Sequence, residues 1–270
     1  MKYQHENSII QSFVPPVMRM ARQAFGGTLK VAEKSHAGDV VTTLDKQVDR
    51  FLVTRLRRAF DYPVISEESS PLNETSNAEM HWIIDPICGT SNLARGIKYF
   101  CTNIALVERG KTTAAWVIDH SRGEVIWSAG GGEVRRGRAL LPHLSGKRKH
   151  WHIDIDWGYW FHLPRTTRTR FADFAHEFWL RDDGSAYTTS SSLSFAYVAT
   201  GQFDAAVVIN VYPWDIVASA FLIEQNGGIV TNFDGSPWTI HSKSVVMAGD
   251  KGLHQTLLKL LKKNKLSRIA

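Results

Sequence analysis

Apolar and polar positions alternate along the chain in patterns that predict both helices and strands. Residues 44–60 repeat apolar side chains at helical spacing opposite a charged face, which predicts an amphipathic helix. Residues 80–85 form a short apolar run that stops at Asp85-Pro86, which predicts a buried strand with a carboxylate at its end. Three further strand-like segments, separated by turns, follow before residue 130 and predict an antiparallel meander.

The start and the middle of the chain depart from this pattern. An N-terminal helical stretch is predicted to break at Pro15-Pro16, because proline lacks the N–H that a helix interior uses. Residues 134–170 are basic, aromatic and irregular, and they form the predicted seam between two halves, 1–140 (α+β) and 150–270 (α/β). After the seam, strand-like and helical segments alternate to the end of the chain, which is typical of an α/β arrangement.

Composition limits the class of protein but does not identify an activity. The chain has 270 residues, 43% hydrophobic and 21% charged, which is the composition of a globular protein of one or two domains. Its formal net charge of +6 is compatible with an anionic ligand but too small to require nucleic acid. With two cysteines and no CxxC pair, neither a disulfide framework nor a zinc cluster is expected. Neither a signal-peptide core nor a bilayer-spanning apolar run is recognised, so the expected location is the cytoplasm and no membrane partner is expected.

Five short elements carry acidic or small polar residues. They are DVVTTLD at 39–45, SEES at 66–69, DPICGTSN at 85–92, Trp214-Asp215 and Gly227-Gly228. Each is common alone, since Asp-Pro is typical of turns, Glu-Glu of exposed surfaces and Trp-Asp of helix N-caps. Together they fit phosphate-ester hydrolysis, because that reaction needs hard cations held by carboxylate and carbonyl oxygens beside an aligned water.

In this order the elements resemble the signatures of the inositol monophosphatase family of magnesium-dependent sugar-phosphate phosphatases. The family has an Asp-Pro-Ile-Asp-Gly-Thr loop, matched at residues 85–90 with one change at Cys88. It also has a Trp-Asp element and a Gly-Gly pair separated by eleven residues, matched without change at 214–228. The resemblance implies a layered αβαβα sugar-phosphatase fold of the α/β (α+β) class, in a single unit, 1–270, with the metal cleft between its halves.

The resemblance also implies which residues hold metal. Glu68, Asp85 and the carbonyl of Ile87 would bind a first Mg²⁺, and Glu68 would help to orient the nucleophilic water. Asp85 would bridge to a second ion, completed by the residue at position 88 and by Asp215. Mn²⁺ is the alternative cation. Cys88 stands where the family has an aspartate, and a thiol is a poor ligand for Mg²⁺.

Other residues receive substrate and water roles by the same resemblance. Thr90, hydrogen-bonded to Asp45, would orient the nucleophilic water. The N–H groups of Gly89 and Thr90 would receive phosphate oxygens at the start of a helix. Ser190 and Ser191 would touch the substrate, although a helix N-cap explains these serines equally well.

Three further positions bear on the site and its substrate. Asp39 would support the metal site, and Lys34 matches a basic residue that precedes the first motif. Family members that act on inositol carry an acidic residue on the strand before Trp-Asp, where this chain has Val208. Valine accepts no hydrogen bond from a ring hydroxyl, which argues against myo-inositol phosphate as the main substrate. Other sugar phosphates and 3′-phosphonucleotides remain as expected small-metabolite substrates.

Cys88 leaves two main hypotheses open. The first is a metal-dependent phosphate monoesterase whose second metal site is weakened or differently metallated. The second is a catalytically impaired pseudo-phosphatase that binds a phosphorylated ligand or a protein partner, in which Cys88 is only a small packing residue. A third reading is that the residue at position 88 has been substituted.

The basic segment and the family resemblance suggest further partners. The segment is either an electropositive rim that recruits a phosphorylated ligand or a solvated connection. Nucleic acid is not the expected main partner, because no recognised binding module accompanies the charge. Family members commonly pair, so the resemblance implies a homodimer.

Overall fold

A computed structural model describes residues 2–25, 27–34, 39–71, 78–144 and 148–267. Residues 145–147 of the basic segment lie outside the described residues. The α-helices within the described ranges are α1 (Gln4–Phe25), α2 (Thr43–Ala59), α3 (Thr90–Ala94), α4 (Arg165–Trp179), α5 (Leu193–Ala199), α6 (Pro213–Gln225) and α7 (Lys251–Lys263).

The strands fall into three sheets. They are β1 (Val31–Glu33), β2 (Val40–Thr42), β3 (Val64–Ser66), β4 (Met80–Cys88), β5 (Cys101–Glu108), β6 (Lys111–Asp119), β7 (Glu124–Ser128), β8 (Arg135–Arg136), β9 (Ala139–Leu140), β10 (Trp151–Asp156), β11 (Gly184–Tyr187), β12 (Ala205–Val208), β13 (Ile229–Asn232) and β14 (Val245–Ala248). β1 and β2 form a small ribbon, β3 to β9 form a seven-stranded sheet in chain order, and the last five form a sheet of order β11-β10-β12-β14-β13.

The two large sheets differ in strand direction. From β4 to β9 every neighbouring pair is antiparallel, which confirms the meander predicted from the alternating segments. In the five-stranded sheet β10 is parallel to both β11 and β12, whereas β14 is antiparallel to its neighbours. Parallel strands need crossover connections, and the helices of the second half supply them.

Five layers build the molecule. α1 and α2 pack on one face of the seven-stranded sheet. α5 and α6 lie between the two large sheets and share one apolar core with both of them. α4 and α7 cover the outer face of the five-stranded sheet. The order is therefore αβαβα, which confirms the predicted fold class, whereas the division into halves at the seam stays a prediction.

The predicted break in the first helix is wrong. α1 continues through Pro15 and Pro16 without interruption. Apolar residues on both sides of the proline pair are buried and pack on α2 and the sheet, and this tertiary packing offsets the lost helical hydrogen bonds. The buried residues of α1 are Ile10, Phe13, Val14, Val17 and Ala21.

A helix that crosses a bilayer needs about 20 predominantly apolar residues. Among the helices in the described ranges, none is both long enough and apolar enough for a bilayer crossing.

The core of the seven-stranded sheet gives a direct test of this packing. Ile104 on the interior strand β5 has no exposed surface, whereas Leu140 on the terminal strand β9 is 54% exposed. Ile104→Ala should lower the free energy of unfolding by about 2–5 kcal/mol, because it removes buried methyl groups and leaves a cavity. Leu140→Ala should change it by less than about 0.5 kcal/mol. Urea denaturation of the two variants measures the difference, and equal effects would contradict the layer assignment.

Candidate active site

The end of β4 shapes the centre of a cavity. The pairing of β4 with β5 shifts register between Asp85 and Cys88. Such an irregularity re-aims side chains at a strand end. Immediately after it, Gly89 has φ +96° and begins α3. The chain therefore turns sharply, and Asp85, Ile87 and Cys88 line the same cavity.

The cavity has a volume of about 640 Å³ and takes residues from both large sheets and from α6. Most of the predicted site residues line it, namely Asp39, Asp85, Ile87, Cys88, Gly89, Thr90, Ser190, Ser191 and Asp215. The remaining three, Lys34, Asp45 and Glu68, do not line it, although Lys34 contacts Glu67 and Asp45 contacts Thr90, which do. Residues more than a hundred positions apart thus converge on one space.

Asp85 is the most deeply buried acidic group in the wall. Its side chain has no exposed surface, and neither carboxylate oxygen has a hydrogen-bond partner among the described residues. Burial raises the pKa of Asp85 well above its usual range, and Cys88, Glu67 and Asp215 raise it further. A buried carboxylate without partners is costly, so this position fits a bound cation.

Glu67, rather than the predicted Glu68, lines the cavity. β3 ends at Ser66, and of the two glutamates that follow it only Glu67 is among the cavity-lining residues. Lys34 Nζ lies 2.9 Å from Glu67 Oε1 and also donates to Glu68. Burial, assisted by the charge of Glu67, raises the pKa of Glu68 to about 7. The SEES tetrapeptide indicates an acidic ligand but not which glutamate, because that depends on how the chain turns after β3.

Thr90 and Asp45 form the hydrogen bond that the resemblance implies. Thr90 Oγ1 donates to Asp45 Oδ1 at 2.7 Å and lies 2.9 Å from the carbonyl oxygen of Ile87. The other oxygen of Asp45 accepts from the backbone N–H of Thr42 at 3.0 Å, in a capping box that begins α2. Burial raises the pKa of Asp45. The start of α2 therefore fixes the carboxylate that holds Thr90.

Asp215 occupies the first turn of α6. Its Oδ2 accepts from the backbone N–H of Tyr212 at 2.9 Å, which anchors the side chain at the helix start. Burial and the charge of Glu67 raise the pKa of Asp215 well above its usual range. One ligand atom each from Asp85, Cys88 and Asp215 lie within 4.8 Å of one another. A single ion placed among them could contact all three.

Cys88 is a partly buried thiol at the edge of this group. The backbone N–H of Ser192 donates to its Sγ at 3.2 Å. Cys101 faces it across the sheet, and both cysteines are free. A hydrogen bond to Cys101, together with burial, raises the pKa of Cys88 well above its usual range. This environment therefore disfavours the thiolate form of Cys88.

The serine segment supports the loop at Cys88. Ser191 Oγ donates to the carbonyl oxygen of Cys88 at 3.1 Å, and Ser190 has φ +51°. Ser191 and Ser192 are almost fully buried and lead into α5. The hydroxyl of Ser191 thus binds the protein itself, although both Ser190 and Ser191 also border the cavity.

The part of the cavity wall formed by residues 156–161, called the far wall below, contains residues that the sequence analysis did not predict. Asp156, the last residue of β10, lines the cavity and pairs in register with Val208. Val208 itself is fully buried in the apolar core and does not line the cavity. Asp156 Oδ1 accepts from the N–H of Gly158 at 2.7 Å. The available signal was the IDID run ahead of Trp157, where alternate carboxylates reach a strand end.

Aromatic side chains complete this wall. The residues are Trp157, Tyr159, Trp160 and Phe161. The guanidinium of Arg168 lies 5.4 Å from the ring centre of Trp160. In the same basic segment, Arg148 forms an ion pair with Asp204 at 3.0 Å. The segment therefore contributes aromatic surface to the cavity, and some of its charges are paired within the protein.

A sequence profile described as the inositol monophosphatase family matches residues 9–266. The chain belongs to this family. Curated relatives include a putative Nus factor SuhB from Neisseria meningitidis, 30% identical over 241 residues that cover 88% of this chain and 91% of the relative. The inositol-1-monophosphatase of Bacillus subtilis is 27% identical over 237 residues, 87% of this chain and 88% of the relative.

Solved structures share the fold. The extragenic suppressor protein suhB from Bartonella henselae superimposes with a TM-score of 0.86 over 96% of this chain and 99% of its own, at 22% identity. An IMPase/NADP phosphatase crystallised with Mg²⁺ and phosphate has a TM-score of 0.83 over 97% and 96% of the two chains, at 23% identity. At these identities the likeness concerns architecture.

Gly89 should tolerate no side chain. A Cβ there would lie 2.9 Å from the carbonyl oxygen of Tyr99 and 3.0 Å from Ser191. Gly96 also has a positive φ, +72°, but a Cβ there meets nothing within 4 Å. Gly96→Ala should cost about 1 kcal/mol from backbone strain, and Gly89→Ala at least about 1 kcal/mol more because of the contacts. Thermal unfolding of both variants tests this, and equal losses would show that the loop is not closely packed.

The buried carboxylates should make the metal-free protein less stable as pH rises. Burial and the neighbouring Asp156 raise the pKa of Asp154 to about 7 from an ordinary value of 3.8. The folded state then binds this proton more tightly than the unfolded state, so stability is lost as pH rises towards 7, by up to about 1.4 kcal/mol per pH unit for each such group.

Unfolding in EDTA between pH 5 and pH 8 measures this dependence. Asp154→Asn should make the free energy of unfolding depend less on pH. Asp234→Asn should not, because Ser236 lowers the pKa of Asp234 and so places its titration below this window. An unchanged slope in Asp154→Asn would show that Asp154 is already ionised at pH 5.

Proposed function

We propose that the chain is a Mg²⁺-dependent phosphatase that hydrolyses small phosphate monoesters. The observation that carries this proposal is the buried, unpartnered carboxylate of Asp85, which faces a cavity shared with Glu67 and Asp215. Membership of the inositol monophosphatase family supports it, as does the solved neighbour that contains Mg²⁺ and phosphate. The expected homodimer and cytoplasmic location stay predictions.

Glu67, Asp85 and the carbonyl of Ile87 would hold one Mg²⁺. All three line the cavity, and their oxygens are the hard ligands that Mg²⁺ prefers. Glu67 takes the role that the family resemblance gave to Glu68, while Glu68 would act through Lys34, which both carboxylates bind. The bound ion would neutralise charge on the phosphoryl oxygens.

Thr90 and Asp45 would position the attacking water. Because Thr90 Oγ1 donates its proton to Asp45, its lone pairs are free to accept a hydrogen bond from water. Asp45 is itself held by Thr42 at the start of α2, so the threonine has little freedom to turn. The neighbouring N–H of Gly89 would donate a hydrogen bond to a phosphoryl oxygen.

The far wall would bind the leaving group. Asp156 offers a carboxylate to a sugar hydroxyl, which changes the expectation drawn from Val208 alone. Trp157 and Trp160 offer flat aromatic surface to a ring. This wall favours sugar or nucleoside phosphates, and the architecture of the IMPase/NADP phosphatase neighbours is consistent with a cavity of that kind.

A second candidate function is binding without turnover. Several relatives are named Nus factor SuhB, and Cys88 removes an oxygen ligand from the site. A chain of this type would bind a phosphorylated ligand or a protein partner and release no phosphate. Ligand-induced thermal stabilisation without phosphate release would favour this function.

Phosphate release from a panel of substrates tests the main proposal and the choice of glutamate together. The panel contains inositol 1-phosphate, fructose 1,6-bisphosphate, 3′-phosphoadenosine 5′-phosphate and NADP, each with Mg²⁺ or EDTA. Glu67→Gln should lower kcat/KM at least about 100-fold, because it removes a charged group at the reacting phosphate. Glu68→Gln should lower it less than about tenfold.

The two variants are matched, since both replace a carboxylate that binds Lys34. A larger loss in Glu68→Gln would assign the metal to Glu68, as the sequence motif alone suggested. Absence of phosphate release from every substrate with Mg²⁺ would overturn the proposed activity.

A further inference from the structure

Asp85, Cys88 and Asp215 together form a different kind of site from the one at Glu67. Asp85, Cys88 and Asp215 offer two carboxylate oxygens and one sulfur within 4.8 Å of one another. An ion bound tetrahedrally holds its ligands about 3.5 Å apart, so small side-chain rotations close this set. The cavity in front of it leaves room for a fourth, non-protein ligand.

Mg²⁺ does not fit this set. It requires near-octahedral coordination by hard oxygen ligands, and sulfur is a soft ligand that suits Zn²⁺ and similar cations. Two oxygens, one sulfur and one open position instead match the three protein ligands plus one exchangeable ligand of catalytic zinc sites.

The unpartnered carboxylate of Asp85 points to a ligand here. Both oxygens of Asp85 are buried and unpartnered although they face the cavity. The backbone N–H of Ser192 points at Cys88 Sγ at 3.2 Å, which favours negative charge on the sulfur. Cys101 lies beside Cys88, and its sulfur also lies 3.6 Å from Asn103 Oδ1 and 3.5 Å from Ser192 Oγ.

We propose that Asp85, Cys88 and Asp215 bind one thiophilic divalent cation of the Zn²⁺ and Co²⁺ class in preference to Mg²⁺. The inference deepens the proposed function and rests on its placement of cations in this cavity, but it does not depend on turnover. Replacement of the family's aspartate by Cys88 would then change the metal preference of this position rather than abolish the site.

Cobalt spectroscopy of the full chain tests the proposal without measuring activity. The protein is stripped with EDTA, kept reduced with a phosphine, and titrated with Co²⁺. A thiolate-to-cobalt charge-transfer band should appear in the near ultraviolet with one equivalent. Equimolar Zn²⁺ should remove the band, whereas a hundredfold excess of Mg²⁺ should leave it.

Matched cysteine variants show which sulfur binds the cobalt ion. Cys88→Ser should lose the band and weaken Co²⁺ binding at least about tenfold, since removing a direct ligand costs no less than removing an outer-shell partner. Cys101→Ser should keep the band. Cys88→Asp should lose the band and gain Mg²⁺ affinity in calorimetric titration. Circular dichroism establishes that each variant is folded.

The outcomes separate the two proposals. A band that is absent from the parent chain, that survives Cys88→Ser, or that Mg²⁺ removes as readily as Zn²⁺ overturns the thiophilic site. Phosphate release with Mg²⁺ and no cobalt band would leave the phosphatase proposal standing alone. A Cys88-dependent band without phosphate release would support the metal site and contradict the activity.

Discussion

Mutual repulsion among buried carboxylates is the constraint on which the site depends. Asp85 has no partner for either oxygen, and burial raises its pKa most, followed by Cys88, Glu67 and Asp215. Carboxylates this close in a protein interior raise one another's pKa and destabilise the folded chain when they ionise. A cation in the cavity would remove that cost, so the arrangement is better explained by binding than by folding.

The scaffold holds these groups in place through helix starts. Asp45 and Asp215 each lie in the first turn of a helix, and each accepts the backbone N–H three residues before it. The same bonds that cap α2 and α6 therefore hold Asp45 against Thr90 and place Asp215 in the cavity wall. The positive end of each helix dipole also lies beside a carboxylate, which offsets part of its charge. The burial of α6 between two sheets fixes the position of Asp215 still further.

Cys88 makes the two ends of this acidic group chemically different. The atoms that Glu67 and Ile87 could offer a cation are oxygens, whereas the group of Asp85, Cys88 and Asp215 also offers a sulfur. Asp85 lies between and belongs to both. A single substitution on a shared scaffold would in this way give two neighbouring positions with different cation preferences, while the shape of the cavity stays the same.

The local patterns of the chain were enough to predict the meander, the helix over 44–60 and the buried strand that carries Asp85, because each depends on short-range periodicity. The layered fold class was implied instead by the family resemblance of contiguous motifs. Three features needed the folded chain. Pro15 and Pro16 remain inside α1 because packing outweighs their local helix-breaking effect. Glu67 rather than Glu68 reaches the cavity because of the turn after β3, and Asp156 enters the wall because β10 lies beside β12. The identity of a ligand depends on side-chain direction and strand order, and neither is encoded in the few residues around it.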